Sequence, residues 1–308
     1  MGEEPSKQIA FTLLAMPKPF LGHIGVIQRN AIQSWIHLSP RPDIFLFGEE
    51  SGVAEIAADL NLHHLRNIAR NDFGTPLLSD LLLRARQVAQ TDLLCYANSD
   101  IILMQEFLNA VVAVQAVFPR FLAVAYRLNI DLTNPLDFEA DAEQKLRHQV
   151  LPKGLPGDHT SIDVFVFPRD AFTEVPPLAL GRAWFDQWLI KEAHRLGMPV
   201  VDVTQVARAI HQNHAYSHIE GGYQTVMSGE EASRSLAMYG GKPHAFTLLN
   251  VTHELSHSGA IRQVRFRAEK HIVKQWLWQN LVLRTASVRA KFGLRRKRTP
   301  QTDTTART

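Results

Sequence analysis

Short apolar runs alternate with longer segments of helical periodicity through the first 210 residues of the chain. The apolar runs predict buried strands at 9–16, 44–47, 92–97, 121–126, 163–167 and 199–203. Between them, apolar positions three and four residues apart predict helices at 24–38, 53–60, 77–90, 104–117 and 184–196. Strands that alternate with helices are typical of an α/β fold, so we expect a three-layer α/β/α architecture around a mainly parallel sheet.

Polar residues directly follow the strand predicted at 92–97, in the sequence Asn98-Ser99-Asp100. Because open parallel sheets bind ligands at the carboxyl ends of their strands, we expect these residues to lie at a binding site. The carboxylate of Asp100 is a suitable ligand for a hard divalent cation, which in turn can hold a diphosphate. The structural alternative is that Asp100 caps the helix that begins near residue 104.

A second acidic position, Asp186, lies in the segment GRAWFDQW at residues 181–188, near the predicted start of a helix. Aromatic side chains around a carboxylate suit a sugar, whose C–H face packs on rings while its hydroxyl groups need acceptors. Trp184 is therefore a candidate for binding the sugar or acceptor, and Asp186 is a candidate general base for an acceptor hydroxyl. The alternative is that Asp186 only interacts with the helix dipole.

Three histidines within eight residues, His211, His214 and His218, form the densest polar cluster of the chain. A histidine of this cluster could supply a metal ligand, although the spacing differs from that of a closed structural zinc site. The alternative is a solvated turn with hydrogen-bonded histidines.

A further histidine motif, His253-Glu254-Leu255-Ser256-His257, matches the bare HExxH pattern of zinc hydrolases. Those enzymes carry the pattern on an amphipathic helix and have a third ligand downstream. Here Ser258 and Gly259 end the segment at once, and His271 is the one histidine that follows. A zinc hydrolase is therefore the less favoured alternative.

Charge is distributed unevenly along the chain, whose formal net charge is +3. Residues 262–308 carry 13 of the 33 Lys and Arg residues and 2 of the 30 Asp and Glu residues. The preceding body is therefore acidic and would repel phosphate backbones, so we expect no nucleic-acid partner.

The basic tail has an amphipathic pattern at 271–294, followed by Arg295-Arg296-Lys297-Arg298. This pattern indicates either a helix on an anionic membrane surface or a helix docked on the main domain. Cys95 is the only cysteine, the first residues lack the pattern of a secretory signal, and no apolar run approaches the ~20 residues of a membrane span. We therefore expect a cytoplasmic protein, peripheral on the inner face of a membrane if the tail binds one.

Taken together, residues 9–218 resemble the glycosyltransferases of the GT-A fold, nucleotide-diphospho-sugar transferases similar to family 2. Asn98-Ser99-Asp100 occupies the place of the family's DxD motif, with Asp100 matching the final acidic residue and Asn98 replacing the first. The segment around Asp186 resembles the catalytic-base motif of the family. The histidine run resembles a segment that donates a metal ligand in some members, which here would be His211 or His214.

The resemblance implies a divalent cation, Mn²⁺ or Mg²⁺, held by Asp100 with His211 or His214. It also implies a nucleotide-diphospho-sugar donor and a glycan or lipid-linked acceptor, with Asp163 as a candidate for binding the acceptor or sugar. The alternative for Asp163 is a role in a salt bridge or a turn. The candidate donor-binding residues are Ala15, Pro17, Phe20, Glu49 or Glu50, Asp80, Arg84, Asn98, Ser99 and Asp100.

The same resemblance leaves two points open. Deprotonation of the acceptor by Asp186 for in-line attack would invert the anomeric centre, whereas a more distant Asp186 would leave a retaining mechanism. Because Asn98 departs from the motif, a catalytically silent binding protein of the same fold is the alternative function. A sugar nucleotidyltransferase is disfavoured, since its glycine-rich basic loop after the first strand is absent here.

The predicted organisation along the chain has four parts. A disordered amino terminus at 1–8 precedes a nucleotide-sugar transferase domain at 9–220. A helical carboxyl-terminal extension follows at 221–294, and a basic disordered tail ends the chain at 295–308.

Overall fold

The computed structural model describes residues 11–138, 142–214, 222–241 and 245–264. The strands within these ranges are β1 Phe11–Ala15, β2 Asp43–Phe47, β3 His63–Leu65, β4 Leu93–Ala97, β5 Ile101–Ile102, β6 Leu122–Ile130, β7 Leu155–Pro156, β8 Ile162–Pro168, β9 Val200–Asp202, β10 Ala209–Gln212, β11 His253–Leu255 and β12 Ile261–Gln263. The α-helices are α1 Gly22–Ile36, α2 Val53–Asp59, α3 Leu78–Val88, α4 Gln105–Val117, α5 Ala142–Lys145, α6 Phe185–Arg195, α7 Gly222–Ser228 and α8 Glu230–Tyr239.

The main sheet runs in the order β12-β11-β9-β6-β8-β4-β1-β2-β3. Strand β8 is antiparallel to both of its neighbours, β4 and β6, and β12 is antiparallel to β11 at the edge. The other pairs along this order are parallel. The prediction of a mainly parallel sheet is therefore confirmed, with one antiparallel strand inserted near its middle.

Two apolar cores lie on opposite faces of this sheet, because successive side chains of a strand point in opposite directions. Leu13 of β1 packs into the core that contains Trp35 of α1, and Leu14 packs into the core that contains Leu81 of α3. Helices α1, α2 and α4 bury residues in the first core, and α3 and α6 in the second. The predicted three-layer α/β/α architecture is confirmed. Cys95 is a free thiol buried in the first of the two cores.

Strand β6 links the main sheet to a small second sheet. Its pairing with β8 is irregular between Val124 and Tyr126, and the amide of Tyr126 donates instead to Oγ1 of Thr204 at 2.7 Å. Beyond this irregularity, β6 pairs with β7 and β10, and β10 also pairs with β5. The strand predicted to end at residue 126 thus continues to Ile130, and short helices and β7 follow it before β8 begins.

The sheet also continues past residue 220, where the sequence predicted the end of the transferase domain. Strand β11 pairs in parallel with β9, His253 opposite Val201, and β12 completes that edge. The segment 222–263 therefore contains strands of the main sheet as well as helices, which differs from the predicted helical extension.

Several sequence predictions lie outside the described residues. They concern the amino-terminal 1–8, His218, His271, the amphipathic segment 271–294 and the basic end 295–308. Within the residues that are described, no helix is long and apolar enough to cross a membrane.

Candidate active site

A cleft of about 490 Å³ lies where the polar residues after β1 and β4 meet the beginnings of β8 and α6. The predicted site residues that line it are Pro17, Asn98, Ser99, Asp100, Asp163, Asp186, His211 and His214. The cleft therefore lies at the edge of the sheet where β1 and β4 end, which is the edge that the strand-end rule indicates.

Asp100, His211 and His214 form a group that fits a metal ion, with one ligand atom from each lying within 4.8 Å of the others. Nε2 of His214 is 3.0 Å from Oδ2 of Asp100, which is about the separation of two neighbouring ligands that are each ~2.1 Å from one cation at a right angle. Among the described residues, buried Oδ1 of Asp100 and Nδ1 of His211 have no hydrogen-bond partner. Mixed oxygen and imidazole ligands suit Mn²⁺ and other first-row divalent cations.

The charges of this group favour cation binding. Burial by itself raises the pKa of the Asp100 carboxyl, but the hydrogen bond with His214, the charge that His211 carries at acidic pH and the charge of Lys18 bring it well below the usual range. Burial lowers the pKa of His211. Asp100 is therefore a carboxylate and His211 a neutral imidazole near neutral pH, and these are the forms that bind metals.

Strand pairing, rather than proximity in sequence, brings Asp100 and His211 together. In the antiparallel pair of β5 and β10, His211 lies opposite Ile101, the residue that follows Asp100. The neighbouring side chain of Gln212 is fully buried and donates to the carbonyl oxygens of Ile27 and Asp100. These contacts fix the carboxyl end of β10 against the residues after β4.

Asn98 lies in a network of polar side chains that accounts for an amide, rather than a carboxylate, at this position. Its Nδ2 donates to Oδ1 of Asp163 at 2.7 Å, and its Oδ1 accepts from the hydroxyl of Tyr96 at 3.1 Å. Arg127 donates to the other oxygen of Asp163 at 3.1 Å. The side chain of Asn98 therefore orients Asp163 within the cleft.

Ser99 has a partner inside the fold. Its hydroxyl donates to Oε1 of Gln28 at 2.8 Å. The buried side-chain amide of Gln28 also accepts from the backbone N–H of Lys18 and donates to the carbonyl of Lys18. Gln28 of α1 therefore fixes the loop after β1 to the loop after β4.

Asp186 is the second residue of α6 and lines the same cleft. The helix starts after Trp184, whose φ of 88° is uncommon for a bulky residue. Oδ2 of Asp186 accepts a hydrogen bond from the side chain of Gln187, whereas the buried Oδ1 has no partner among the described residues. Burial, reinforced by the charge of Asp163, raises the pKa of Asp186 to about 7. A carboxyl with this pKa can accept a proton near neutral pH.

Other candidate residues lie away from the lining of the cleft. Asp80 accepts from the backbone of Ala69 and forms an ion pair with Arg84 one helical turn away. Trp184 packs on Tyr239 with ring centroids 5.4 Å apart. Of the remaining candidates, Ala15 is buried in the core, Glu49 is exposed, and Phe20 is a buried core residue. Glu50, the alternative to Glu49, does line the cleft and pairs with Arg70.

Sequence reasoning missed three cations that line the cleft, Lys18, Arg127 and Arg182. The strand-end rule would have found Lys18, which directly follows the first strand. Arg127 lies one residue beyond the predicted end of its strand, and nothing in the local pattern marks Arg182. Arg182 donates to Glu231 of α8 at 2.7 Å and thereby ties the segment before α6 to α8.

The HExxH pattern has no helical context. His253, Glu254 and Leu255 form β11, so successive side chains alternate between faces and the i,i+4 geometry of a zinc helix is absent. The Asp100 group is the one metal-ligating cluster found among the described residues.

No protein-family model matches this chain, and no curated protein matches its sequence. Solved structures do match. The structure of S. aureus TarS residues 1–349 in complex with UDP-GlcNAc has 10% identity and a TM-score of 0.48, and the match covers 75% of this chain and 65% of that one. The match thus spans less than two-thirds of the length of that TarS chain.

Two other matches are synthases of sugar phosphoglycerates. Glucosyl-3-phosphoglycerate synthase from Mycobacterium tuberculosis, with Mn²⁺, UDP and its product, has 14% identity and a TM-score of 0.45 over 80% of this chain and 88% of that one. Mannosyl-3-phosphoglycerate synthase from Rubrobacter xylanophilus has 16% identity and a TM-score of 0.44 over 74% of this chain and 73% of that one. At such identities and TM-scores the similarity says nothing about what this chain acts on.

Proposed function

We propose that this chain is a metal-assisted glycosyltransferase that moves a sugar from a nucleotide-diphosphate donor to a hydroxyl group of an acceptor. One observation carries the proposal: the Asp100, His211 and His214 group shares a cleft with Asp186, a carboxyl whose Oδ1 is buried without a partner among the described residues. A cation site and a base in one cleft suit transfer from a diphosphate leaving group to a hydroxyl.

Asp100, His211 and His214 are the residues that would hold the divalent cation, Mn²⁺ or Mg²⁺. Bound there, the cation would act as a Lewis acid that neutralises charge on the departing diphosphate. The chain contributes by keeping Asp100 ionised and His211 neutral, and by fixing both against each other through the pairing of β5 and β10.

Asp186 is the proposed base for the acceptor hydroxyl. Its pKa of about 7 lets it accept a proton at neutral pH and still leaves a usable fraction ionised. The first turn of α6 fixes the backbone of Asp186. Gln187 donates a hydrogen bond to Oδ2 of this carboxylate, so Oδ1 is the oxygen that would accept the hydroxyl proton.

Asp163 is the proposed contact for hydroxyl groups of the sugar or acceptor. Asn98 and Arg127 hold its two oxygens in place, and each carboxylate oxygen can accept a further hydrogen bond. Asn98 therefore acts through Asp163, so its amide does not by itself argue for a catalytically silent protein.

Thermal unfolding of the full chain with Mn²⁺ and a panel of UDP, GDP, ADP and dTDP sugars tests the donor. We expect one donor to raise Tm only when Mn²⁺ or Mg²⁺ is present, because the cation would supply positive charge that favours binding of the diphosphate. Asp100→Ala should abolish that shift, and Asp170→Asn, an exposed carboxylate on the surface, should retain it. A panel in which no sugar nucleotide shifts Tm contradicts the proposal.

Release of the nucleoside diphosphate separates an enzyme from a silent binding protein. We expect the stabilising donor to be hydrolysed slowly by wild-type protein without an acceptor, and faster when an acceptor is found. Tight donor binding with no release above background, with or without acceptor mixtures, would instead favour the silent alternative.

A further inference from the structure

An ammonium group lies against the proposed metal ligands. Nζ of Lys18 is 3.2 Å from Nε2 of His214 and 3.7 Å from Oδ2 of Asp100. A cation held about 2.2 Å from both of those atoms would lie within about 5 Å of Nζ wherever it sat around the pair. The positions of the ammonium and of a divalent cation are therefore in electrostatic conflict.

The backbone of Lys18 cannot relieve this conflict, whereas its side chain can. Gln28 bonds both the N–H and the carbonyl of Lys18 at 2.7 and 2.8 Å, so the loop is fixed to α1. The side chain is 31% exposed and has a flexible four-carbon stem. A new position of the ammonium is therefore reached by rotating side-chain bonds.

The other two cations of the cleft are engaged elsewhere. Arg127 is paired with Asp163, and Arg182 with Glu231, whose side chain is 8% exposed. Among the described lining residues, Lys18 is the cation whose carboxylate partner is itself a proposed metal ligand. It is therefore the cation that metal binding would release into the cleft.

We propose that Lys18 occupies the cation position beside Asp100 and His214 in the metal-free protein, leaves it when a divalent cation binds, and then binds the diphosphate of the donor. This inference rests on the proposed function. A diphosphate bound to a cation at this position would come within reach of a lysine anchored beside it, and an ammonium is a suitable point charge for phosphate.

Movement of Lys18 from the cation position to the diphosphate would couple the binding of the metal to the binding of the diphosphate. Metal binding alone has to displace an ion pair, whereas metal binding together with a diphosphate gives the ammonium a new partner. Removing the ammonium should therefore strengthen binding of the metal alone and weaken binding of the diphosphate, which reduces the coupling between them.

The variant Lys18→Met tests the exchange, because Met keeps the length of the stem and removes the charge. Lys153→Met is the matched control, since Lys153 is exposed and does not line the cleft. Mn²⁺ affinity is measured without nucleotide by electron paramagnetic resonance of free Mn²⁺. Affinities for UDP, GDP and ADP are measured by calorimetry at saturating Mn²⁺, with circular dichroism as a check on folding.

We expect Lys18→Met to bind Mn²⁺ about five-fold more tightly than wild type, as loss of a partly exposed ion pair would allow. We expect its affinity for the preferred nucleoside diphosphate to fall about ten-fold, with Lys153→Met at wild-type values for both. Lys18→Arg should keep diphosphate affinity within about three-fold, because a guanidinium also binds phosphate.

Unchanged or weaker Mn²⁺ binding by Lys18→Met would show that the ammonium does not compete with the divalent cation. Unchanged diphosphate binding would show that Lys18 does not bind the diphosphate. If wild type binds no Mn²⁺, either alone or together with a nucleoside diphosphate, but Lys18→Met does, the competition is supported while the metal-assisted function of the wild-type chain fails. If neither protein binds Mn²⁺ under either condition, both proposals are wrong.

Discussion

Nδ2 of Asn98 donates a hydrogen bond to Oδ1 of Asp163 over 2.7 Å, while Oδ1 of Asn98 accepts one from the hydroxyl of Tyr96. An amide can do both, whereas an ionised carboxylate can only accept. An aspartate at position 98 would therefore face Asp163 with like charge. The departure from the DxD pattern is thus matched to an acidic residue on the neighbouring antiparallel strand.

This contact predicts the effect of Asn98→Asp. Two carboxyl groups at this distance raise the pKa of one of them in the folded state, so the folded variant binds more protons than the unfolded chain. The free energy of unfolding of the variant, measured relative to that of wild type, should therefore be lower at pH 8 than at pH 5 by about 1–2 kcal/mol. Urea unfolding at both pH values measures the difference.

Asn98→Ala is the control, because it removes the hydrogen bonds without adding charge. It should cost about 1 kcal/mol at both pH values. A penalty for Asn98→Asp that does not change with pH contradicts the proximity of the two carboxyl groups.

Asp186→Asn should separate donor binding from turnover. The amide cannot accept the hydroxyl proton, so we expect kcat to fall by about 10²-fold or more while donor affinity stays within about three-fold. Asp170→Asn, an exposed change of the same kind, should leave kcat unaltered. Retention of most of the wild-type kcat by Asp186→Asn would rule out the base role.

The pH dependence of the wild-type rate follows from the same carboxyl. The base works only when deprotonated, and burial raises its pKa to about 7. We therefore expect the rate with saturating donor to rise with pH around a midpoint near 7, and a rate measured from pH 5 to 9 gives the profile. A rate that is flat across this range would mean that another group accepts the proton.

Asp186 should also cost stability at neutral and alkaline pH. Its folded pKa of about 7 lies above the ordinary value of 3.8, so its contribution to stability is fully present below pH 4 and is lost as pH rises through 7. We expect Asp186→Asn to be more stable than wild type by about 2–4 kcal/mol at pH 8. The difference should shrink towards pH 4.5 in denaturant titrations, and a destabilised variant at pH 8 would contradict it.

Arg182 and Glu231 form an ion pair that joins the segment before α6 to α8. Their side chains are 15% and 8% exposed, so removing the arginine would leave Glu231 buried with one partner fewer. Arg182→Met should cost about 2–3 kcal/mol in urea unfolding.

Arg70→Met is the control for that variant, since the Arg70–Glu50 pair borders the same cleft with side chains that are 33% and 18% exposed. Solvent screens this pair more strongly, so its loss should cost about 0.5–1 kcal/mol. Equal costs for the two arginine variants would show that burial of Glu231 contributes little.

Much of the fold could be predicted because buried strands and amphipathic helices have their own periodicity. The strand Leu93–Ala97 and the helix Phe185–Arg195 both lie within two residues of their predicted ends. Such boundaries put Asn98 at the carboxyl end of its strand, whereas Asp163, at the start of its predicted strand, reaches the same edge because β8 is antiparallel to β4.

Short strands were missed because they are too brief to show a period. Strands β5 and β10 have two and four residues, and their stability comes from the partner strand rather than from their own pattern. The sequence also favoured Asp80 and Arg84 as ligand contacts, whereas these two residues satisfy each other one helical turn apart.

The sequence by itself determined the layered architecture, the place of Asp100 after a buried strand and the place of Asp186 at the start of a helix, because apolar periodicity and strand ends are local properties. Only the tertiary structure decided that His211 lies near Asp100, that Asn98 bonds Asp163, and that the ammonium of Lys18 lies beside Asp100 and His214. Those contacts join residues 65 to 196 positions apart. They depend on which strands pair, and the local pattern specifies that a strand is buried without specifying its neighbour.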